Sequence, residues 1–297
     1  MQSKAAAWIH AFRLRTLPLA FSSIIVGSFI NYKTHFNWLV FILTLITALL
    51  LQVLSNLAND YGDSEKGTDN EFRIGPMRAV QSGMLSLKEM KFAIVINVIL
   101  CLIAGISLVI IGAGVDLPSL MLIGIGIAAI AAAIKYTIGK AAYGYYGLGD
   151  VFVMLFFGFA GVLGSEFLQS HTVNAMHCFM AVAIGCFATG VLNLNNMRDI
   201  NNDSASNKNT LVVRIGSKAA KIYHILLIMT GMVATVYYTY ETATSLIEYL
   251  PFLVFPFFIF QLRQIEQITE PKDFDPFLKK LALSTFAFSI LFALSKA

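Results

Sequence analysis

Runs of apolar residues long enough to cross a membrane constrain this chain more than any other feature. "NWLVFILTLITALLLQVLS", residues 37–55, carries no formal charge, and comparable runs recur to the end of the chain. A bilayer core needs roughly 20 mainly apolar residues per helix. A membrane barrel would alternate polar and apolar side chains over strands of ~10 residues, which these runs do not. Backbone polar groups in lipid must be satisfied within the segment, so the runs read as α-helices. Spans are expected near residues 17–32, 37–58, 91–112, 118–138, 151–168, 174–194, 220–240, 244–262 and 277–295. The first is short, the last opens with two lysines, and the eighth is interrupted by Glu248, Pro251 and Pro256, so a count of eight stays open. A short interfacial helix over residues 4–14 leads into the first span. Charged residues make up 13% of the chain against about 25% in soluble domains, which excludes a soluble globular fold.

Charge placement supports the count of nine. With nine spans, 19 of the 21 Lys and Arg residues fall on the N-terminal side or in the flanking turns of that side. Only Lys33 and Lys296 fall on the other. The positive-inside rule then makes the N-terminal side cytoplasmic. It also explains the basic balance without nucleic acid as a partner. Cys101, Cys178 and Cys186 lie inside apolar spans without CxxC spacing and read as small buried hydrophobes. His224, on the seventh span, reads as a packing residue.

Two polar clusters stand out, both at the cytoplasmic end of an even-numbered span. In "NLANDYGDSEKGTD", Asn56, Asn59, Asp60 and Asp63 are spaced i, i+3, i+4 and i+7, on one helical face. In "NNMRDINND", Asn195, Asp199 and Asp203 are spaced i, i+4 and i+8, with Asn196 beside them. Helix capping and a solvated loop would account for Asp and Asn at helix ends. Carboxylates at helix C-termini, however, oppose the helix dipole. Like charges at i, i+4 repel, and a carboxylate deeper in the membrane costs about 2.5–3.5 kcal/mol. A cation is therefore expected, and clustered oxygen ligands suit Mg²⁺, which is commonly held by carboxylates together with substrate phosphates. Lys66, Arg73 and Arg78 follow the first cluster, and Lys208 and Arg214 follow the second, as candidate phosphate partners. The spacing predicts two facing halves of a diphosphate site across a cavity, with a weak internal repeat four helices apart.

At these residues the sequence resembles the UbiA superfamily of intramembrane prenyltransferases. The first motif reads Asn59-Asp60-x-x-Asp63 with Asp69 beyond, and the second Asp199-x-x-x-Asp203. "RLRTLPLAF", "RIGPMRAVQSG", "YYGLGDVFV" and "NTLVVRIG" resemble the branch that acts on 1,4-dihydroxy-2-naphthoate in menaquinone biosynthesis. The resemblance covers nearly the whole chain, 1–297, as a single all-α multi-pass domain of about nine helices around a central cavity capped by cytoplasmic loops. It implies Mg²⁺ on Asp60, Asp63, Asp69, Asp199 and Asp203, and a polyprenyl diphosphate held with Asn59, Lys66, Arg73, Arg78, Lys208 and Arg214. It implies an allylic cation near aromatic faces, prenylation of the naphthoate with loss of CO₂, and a bacterial inner-membrane enzyme with a cytoplasmic-side site. One departure is local: a Gly-Lys pair is expected before Thr-Leu, and this chain has Asn207-Lys208-Asn209-Thr210.

In "YTIGKAAYGYYGLGD", Lys140, Tyr143 and Asp150, with Asn196, are candidates for orienting the aromatic acceptor. Asp150 reads equally well as a helix cap. Glu166 is expected near the opposite membrane face, outside the diphosphate site. Other aromatic acceptors (4-hydroxybenzoate, homogentisate or haem) and a transporter with an acidic ion site remain the rival readings. Prenyl chain length and oligomeric state are not set by sequence.

Overall fold

The computed structural model describes residues 4–70, 73–75 and 77–297. Described residues form helices and connecting turns, with no strand among them. The helices are α1 (Lys4–Phe12), α2 (Leu17–Phe29), α3 (Trp38–Glu65), α4 (Leu87–Gly112) and α5 (Leu117–Lys135). After these come α6 (Gly149–Ser170), α7 (Ala175–Ala205), α8 (Leu211–Thr242), α9 (Leu246–Glu266) and α10 (Pro271–Lys296). From α3 onward each of the eight is long and apolar enough to cross a membrane, and the pair α1–α2, bent at 44°, brings the count to nine if it is taken as one span. The protein is an integral membrane protein. The weak span is the first, where α2 is a 13-residue helix. The proline-broken eighth span still forms, because Leu246–Val254 winds as a 3₁₀ segment around Pro251 before Phe255–Glu266 turns α-helical.

Local chemistry sets the helix ends. Asn37 caps α3 by accepting from the backbone N–H groups of Leu39 and Val40. Ser86 and Glu89 form a reciprocal capping box on α4. Thr210 caps α8 by accepting from Val213 N–H. Helix α3 continues past its apolar run to Glu65, and α7 continues to Ala205. Both polar clusters therefore ride on rigid helix and not on loop.

Helix α7 is the buried centre of one half of the molecule, with 61% of its apolar window inside the protein. Phe187 packs against Phe258 of α9 at 4.6 Å and Phe288 of α10 at 5.5 Å between ring centroids. A second apolar cluster joins α1, α3, α4 and α5 through Leu54, Leu57, Met90 and Cys101. Cys101 and Cys186 are buried and free, and Cys178 is partly buried and free. His224 is buried on α8. Far from the aspartate clusters, Glu166 of α6 is almost fully buried. Its Oε1 accepts from Asn31 Nδ2 at 3.3 Å and Asn174 N–H at 3.1 Å, and meets His177 Nδ1 at 2.5 Å. Glu166 is a buried latch between spans and lines neither cavity.

Candidate active site

A cavity of about 470 Å³ runs between α2, α3, α4, α5, α6 and α7. Its mouth is polar, with Arg13, Asn59, Asp63, Arg78 and Lys208 on the wall. Its body is apolar, through residues such as Leu108, Val109, Leu122 and Leu168. Ile106, Ile125 and Ile127 line it and are also exposed on α4 and α5, so it meets the lipid-facing surface there. A smaller cavity of about 270 Å³ shares Arg13 and Arg78 with the first and adds Ile9, His10, Leu14, Asp60 and Arg73.

The helical spacing of the first motif does what it predicts: Asp60 and Asp63 are both about 1% exposed on the inner face of α3. Their charges are met at once. Arg78 lies among three carboxylates, with Nη1 at 2.9 Å from Asp63 and 3.0 Å from Asp69, and Nε at 3.5 Å from Asp60. It also donates to the carbonyl of Asn59 at 2.8 Å. Arg13, on a left-handed backbone at φ 48°, pairs with Asp60. Arg73 Nε lies 3.2 Å from Asp69. Burial disfavours the charge on Arg78, but Asp63, Asp69 and Asp60 outweigh it and hold the guanidinium above its ordinary value. Burial pushes the Asp69 carboxyl up to about 6 against the pull of Arg78.

The second motif meets the first through Lys208. Its Nζ is 3.5 Å from Asp63 and 3.8 Å from Asp203. Burial opposes that charge too, but Asp63 and Asp203 raise the ammonium above its usual range. Lys208 is delivered by a tight turn in which Asn207 takes φ 55° and Lys208 N–H donates to the carbonyl of Asp203 at 2.8 Å. That left-handed position suits Gly best and Asn next. Asn207-Lys208 therefore keeps the turn expected of Gly-Lys. Asp199 is held by its neighbour Arg198, at 2.9 Å from Nε and 2.7 Å from Nη2. Arg198 also donates to Asn195 at 2.8 Å and to Asp275 at 2.6 Å. Asn202 Nδ2 donates to the carbonyl of Thr68 at 2.9 Å. Gly75 sits between the two halves: a Cβ there would lie 2.9 Å from Arg73 Nη2 and 3.0 Å from Arg198 Nη2.

Sequence reasoning missed Tyr145. Its hydroxyl donates to Asp63 Oδ1 at 2.8 Å and lies 2.6 Å from Thr68 Oγ1. Burial, then Asp63, raises its pKa, so it stays a donor. Lys66 Nζ lies 3.9 Å above the Tyr145 ring, and Lys208 Nζ 5.4 Å from it. The sequence signal was only one tyrosine among three in "YGYY". Arg13 and Arg198 were equally unassigned, although each lies within a quoted motif.

Other expected residues stand apart. Arg214 is exposed and donates to the carbonyl of Tyr146 at 2.9 Å, outside the carboxylate cluster. Lys140 is exposed and does not line the cavity. Tyr143 does line it, with its hydroxyl donating to the carbonyl of Ala132 at 3.0 Å. Asp150 and Asn196 are buried but off the cavity wall. The neighbours Gly149 and Asn195 line the cavity instead.

The donor set fits a hard cation in kind, since every candidate ligand is an oxygen. Buried amide oxygens of Asn59 and Asn202 have no hydrogen-bond partner. Among the described residues, however, no three acidic, His or Cys groups converge as a metal cluster. Arg78 and Lys208 stand between the carboxylates and already supply positive charge.

The UbiA prenyltransferase family matches residues 20–289. Over 237 residues the chain is 47% identical to 1,4-dihydroxy-2-naphthoate octaprenyltransferase of Escherichia coli (strain K12), covering 80% of this chain and 77% of that one. It is 40% identical over 301 residues to the protein of the same name from Haemophilus influenzae, covering 99% and 96%. A solved structure described as digeranylgeranylglyceryl phosphate synthase superposes with TM-score 0.65 at 14% identity over 99% of both chains, which extends the likeness of fold. With these matches beside its spans, paired aspartate helices and cavity, the chain belongs to the UbiA prenyltransferase family.

Proposed function

We propose that this enzyme transfers a polyprenyl group from polyprenyl diphosphate to 1,4-dihydroxy-2-naphthoate, releasing diphosphate and CO₂ and giving demethylmenaquinol. One observation carries the reading: a carboxylate and guanidinium cluster forms the mouth of a cavity whose body is apolar and meets the lipid. A charged head on a long hydrocarbon tail fits that division. The names and identities of the bacterial relatives support the naphthoate as acceptor. The smaller cavity adds support, because Arg13 and Arg73 beside Ile9 and Leu14 offer cations and apolar surface to an aromatic carboxylate. The 19 basic residues on the same side support a site at the cytoplasmic face, and the bacterial relatives support an inner membrane.

In the reaction the C1–O bond of the donor breaks and its electron pair stays on the diphosphate oxygen. Arg78, Lys66, Lys208 and Arg73 would neutralise that charge. Asp60, Asp63 and Asp69 on one side and Asp199 and Asp203 on the other would hold Mg²⁺, which would supply further positive charge at the diphosphate. The electron-rich naphthoate ring supplies the pair for the new C–C bond. The bond to the carboxyl carbon then returns its pair to the ring as CO₂ leaves. The cavity wall keeps water from the cation.

The test offers purified protein a labelled prenyl diphosphate with each acceptor in turn. Prenylation of the naphthoate with CO₂ release is expected. Efficient prenylation of 4-hydroxybenzoate instead would overturn the acceptor.

A further inference from the structure

Helix α6 is wound unusually. Gly149–Val153 and Gly164–Ser170 are α-helical, but Met154–Leu163 between them is π-helical. Such winding is rare and favours functional sites, because it weakens the hydrogen-bond ladder and must be held by its surroundings. Here the hold is visible. A Cβ on Gly158 would meet the carbonyl oxygen of Ala181 at 2.6 Å, and one on Gly161 would meet Ser23 Cβ at 2.7 Å. The backbone of α6 is thus seated directly on α7 and α2, and its rotation is fixed.

The winding decides which side chains face the cavity. Phe152, Phe156, Ala160, Gly164 and Leu168 all line it, at every fourth position. On a regular α-helix each step of four drifts by about 40°, so the last would point almost opposite the first. The wider turn compensates and keeps one stripe on the cavity from mouth inward. It also puts the neighbours Phe156 and Phe157 on the wall together.

The aromatic part of this stripe begins at the charged mouth. Tyr136 lines the cavity together with Asp63 and Lys208. Tyr143 meets Tyr136 edge-on, with centroids 5.3 Å apart and planes at 74°. Phe152 stacks on Tyr143 at 3.9 Å and 19°, and Phe156 follows Phe152 at 6.2 Å and 26°. A run of four rings therefore descends from the diphosphate end into the apolar body. Tyr143 spends its hydroxyl on Ala132, and phenylalanine has neither a lone pair nor a proton to offer. Nothing in Phe152 or Phe156 can trap a carbocation, yet both rings line the cavity.

We propose that Phe152 and Phe156 are further catalytic residues, whose rings carry the allylic cation between departure of diphosphate and attack by the acceptor. The inference rests on the prenyl-transfer reading above. No bond forms to either ring. The positive charge is shared between C1 and C3 of the donor and lowered in energy by the ring quadrupoles in a water-poor cavity. It is discharged when the acceptor ring provides the electron pair for the new C–C bond.

The test uses the full-length chain in detergent with farnesyl diphosphate, 1,4-dihydroxy-2-naphthoate and Mg²⁺. Phe152→Leu and Phe156→Leu are each expected to lower kcat about tenfold, with the KM of both substrates unchanged. Slow formation of prenyl alcohol without acceptor is expected to fall in parallel. Phe152→Trp keeps a π-face and is expected to stay within about threefold of the parent. A raised acceptor KM at unchanged kcat would assign the rings to acceptor packing and overturn the proposal. Phe152→Trp as slow as Phe152→Leu would overturn it too. Failure of the parent enzyme to prenylate the naphthoate would instead sink the functional reading, so the two failures are distinct.

Discussion

Tyr145 shows how one side chain can tie a site together. Its hydroxyl fixes Asp63 and Thr68, and its ring lies beneath Lys66. Tyr145→Phe keeps the ring and loses the hydrogen bond to a charged group, a bond worth about 1.5–3 kcal/mol. The expected outcome is kcat/KM for prenyl transfer lowered by roughly tenfold or more, with thermal stability in detergent little changed. Steady-state kinetics beside a melting curve separates the two. Asn207 makes a second residue-scale case. Asn207→Gly preserves the left-handed turn that delivers Lys208, whereas Asn207→Val places a β-branched residue at φ 55° and costs about 1–2 kcal/mol. Thermal melting is expected to rank them with glycine near the parent and valine well below. Gly75→Ala is expected to lower turnover, since its Cβ presses on Arg73 and Arg198.

At the scale of elements, much of the architecture was legible. Apolar length gave the spans, and the i, i+3 spacing of Asp60 and Asp63, like the i, i+4 spacing of Asp199 and Asp203, placed each motif on one helical face. What stayed hidden is non-local. Nothing near Asp60 announces that Arg13, 47 residues away in sequence, would pair with it. Hydropathy could not reveal the π winding of Met154–Leu163, since all its residues are apolar or small. The boundaries also moved for a physical reason: α3 and α7 outlast their apolar runs because ion pairs stabilise their polar ends. Glu166 belongs to this scale as well, tying the ends of α2, α6 and α7. Glu166→Ala leaves Asn31, Asn174 and His177 without their shared partner and is expected to cost roughly 2–4 kcal/mol. The observable is a lower melting temperature, with prenyl transfer at low temperature close to the parent.

For the whole molecule, the two halves of the site belong to helices four spans apart, and they meet only because α3 and α7 share one cavity. Cations now balance the carboxylates, so a bound diphosphate would draw Arg78 and Lys208 toward phosphate and release oxygens for Mg²⁺. Chelation by EDTA is expected to abolish prenyl transfer, with recovery on added Mg²⁺. Asp63→Ala and Asp203→Ala, one from each half, are each expected to lower turnover by about a hundredfold or more, while membrane insertion continues. Near-normal turnover in both would contradict a shared metal and diphosphate site. The most direct measurement incubates the purified enzyme with polyprenyl diphosphate, Mg²⁺ and 1,4-dihydroxy-2-naphthoate labelled in its carboxyl carbon. One labelled CO₂ released for each prenylated product is the expected result. Prenylated product that retains the label, or no product from this acceptor while another is prenylated, would contradict the assignment.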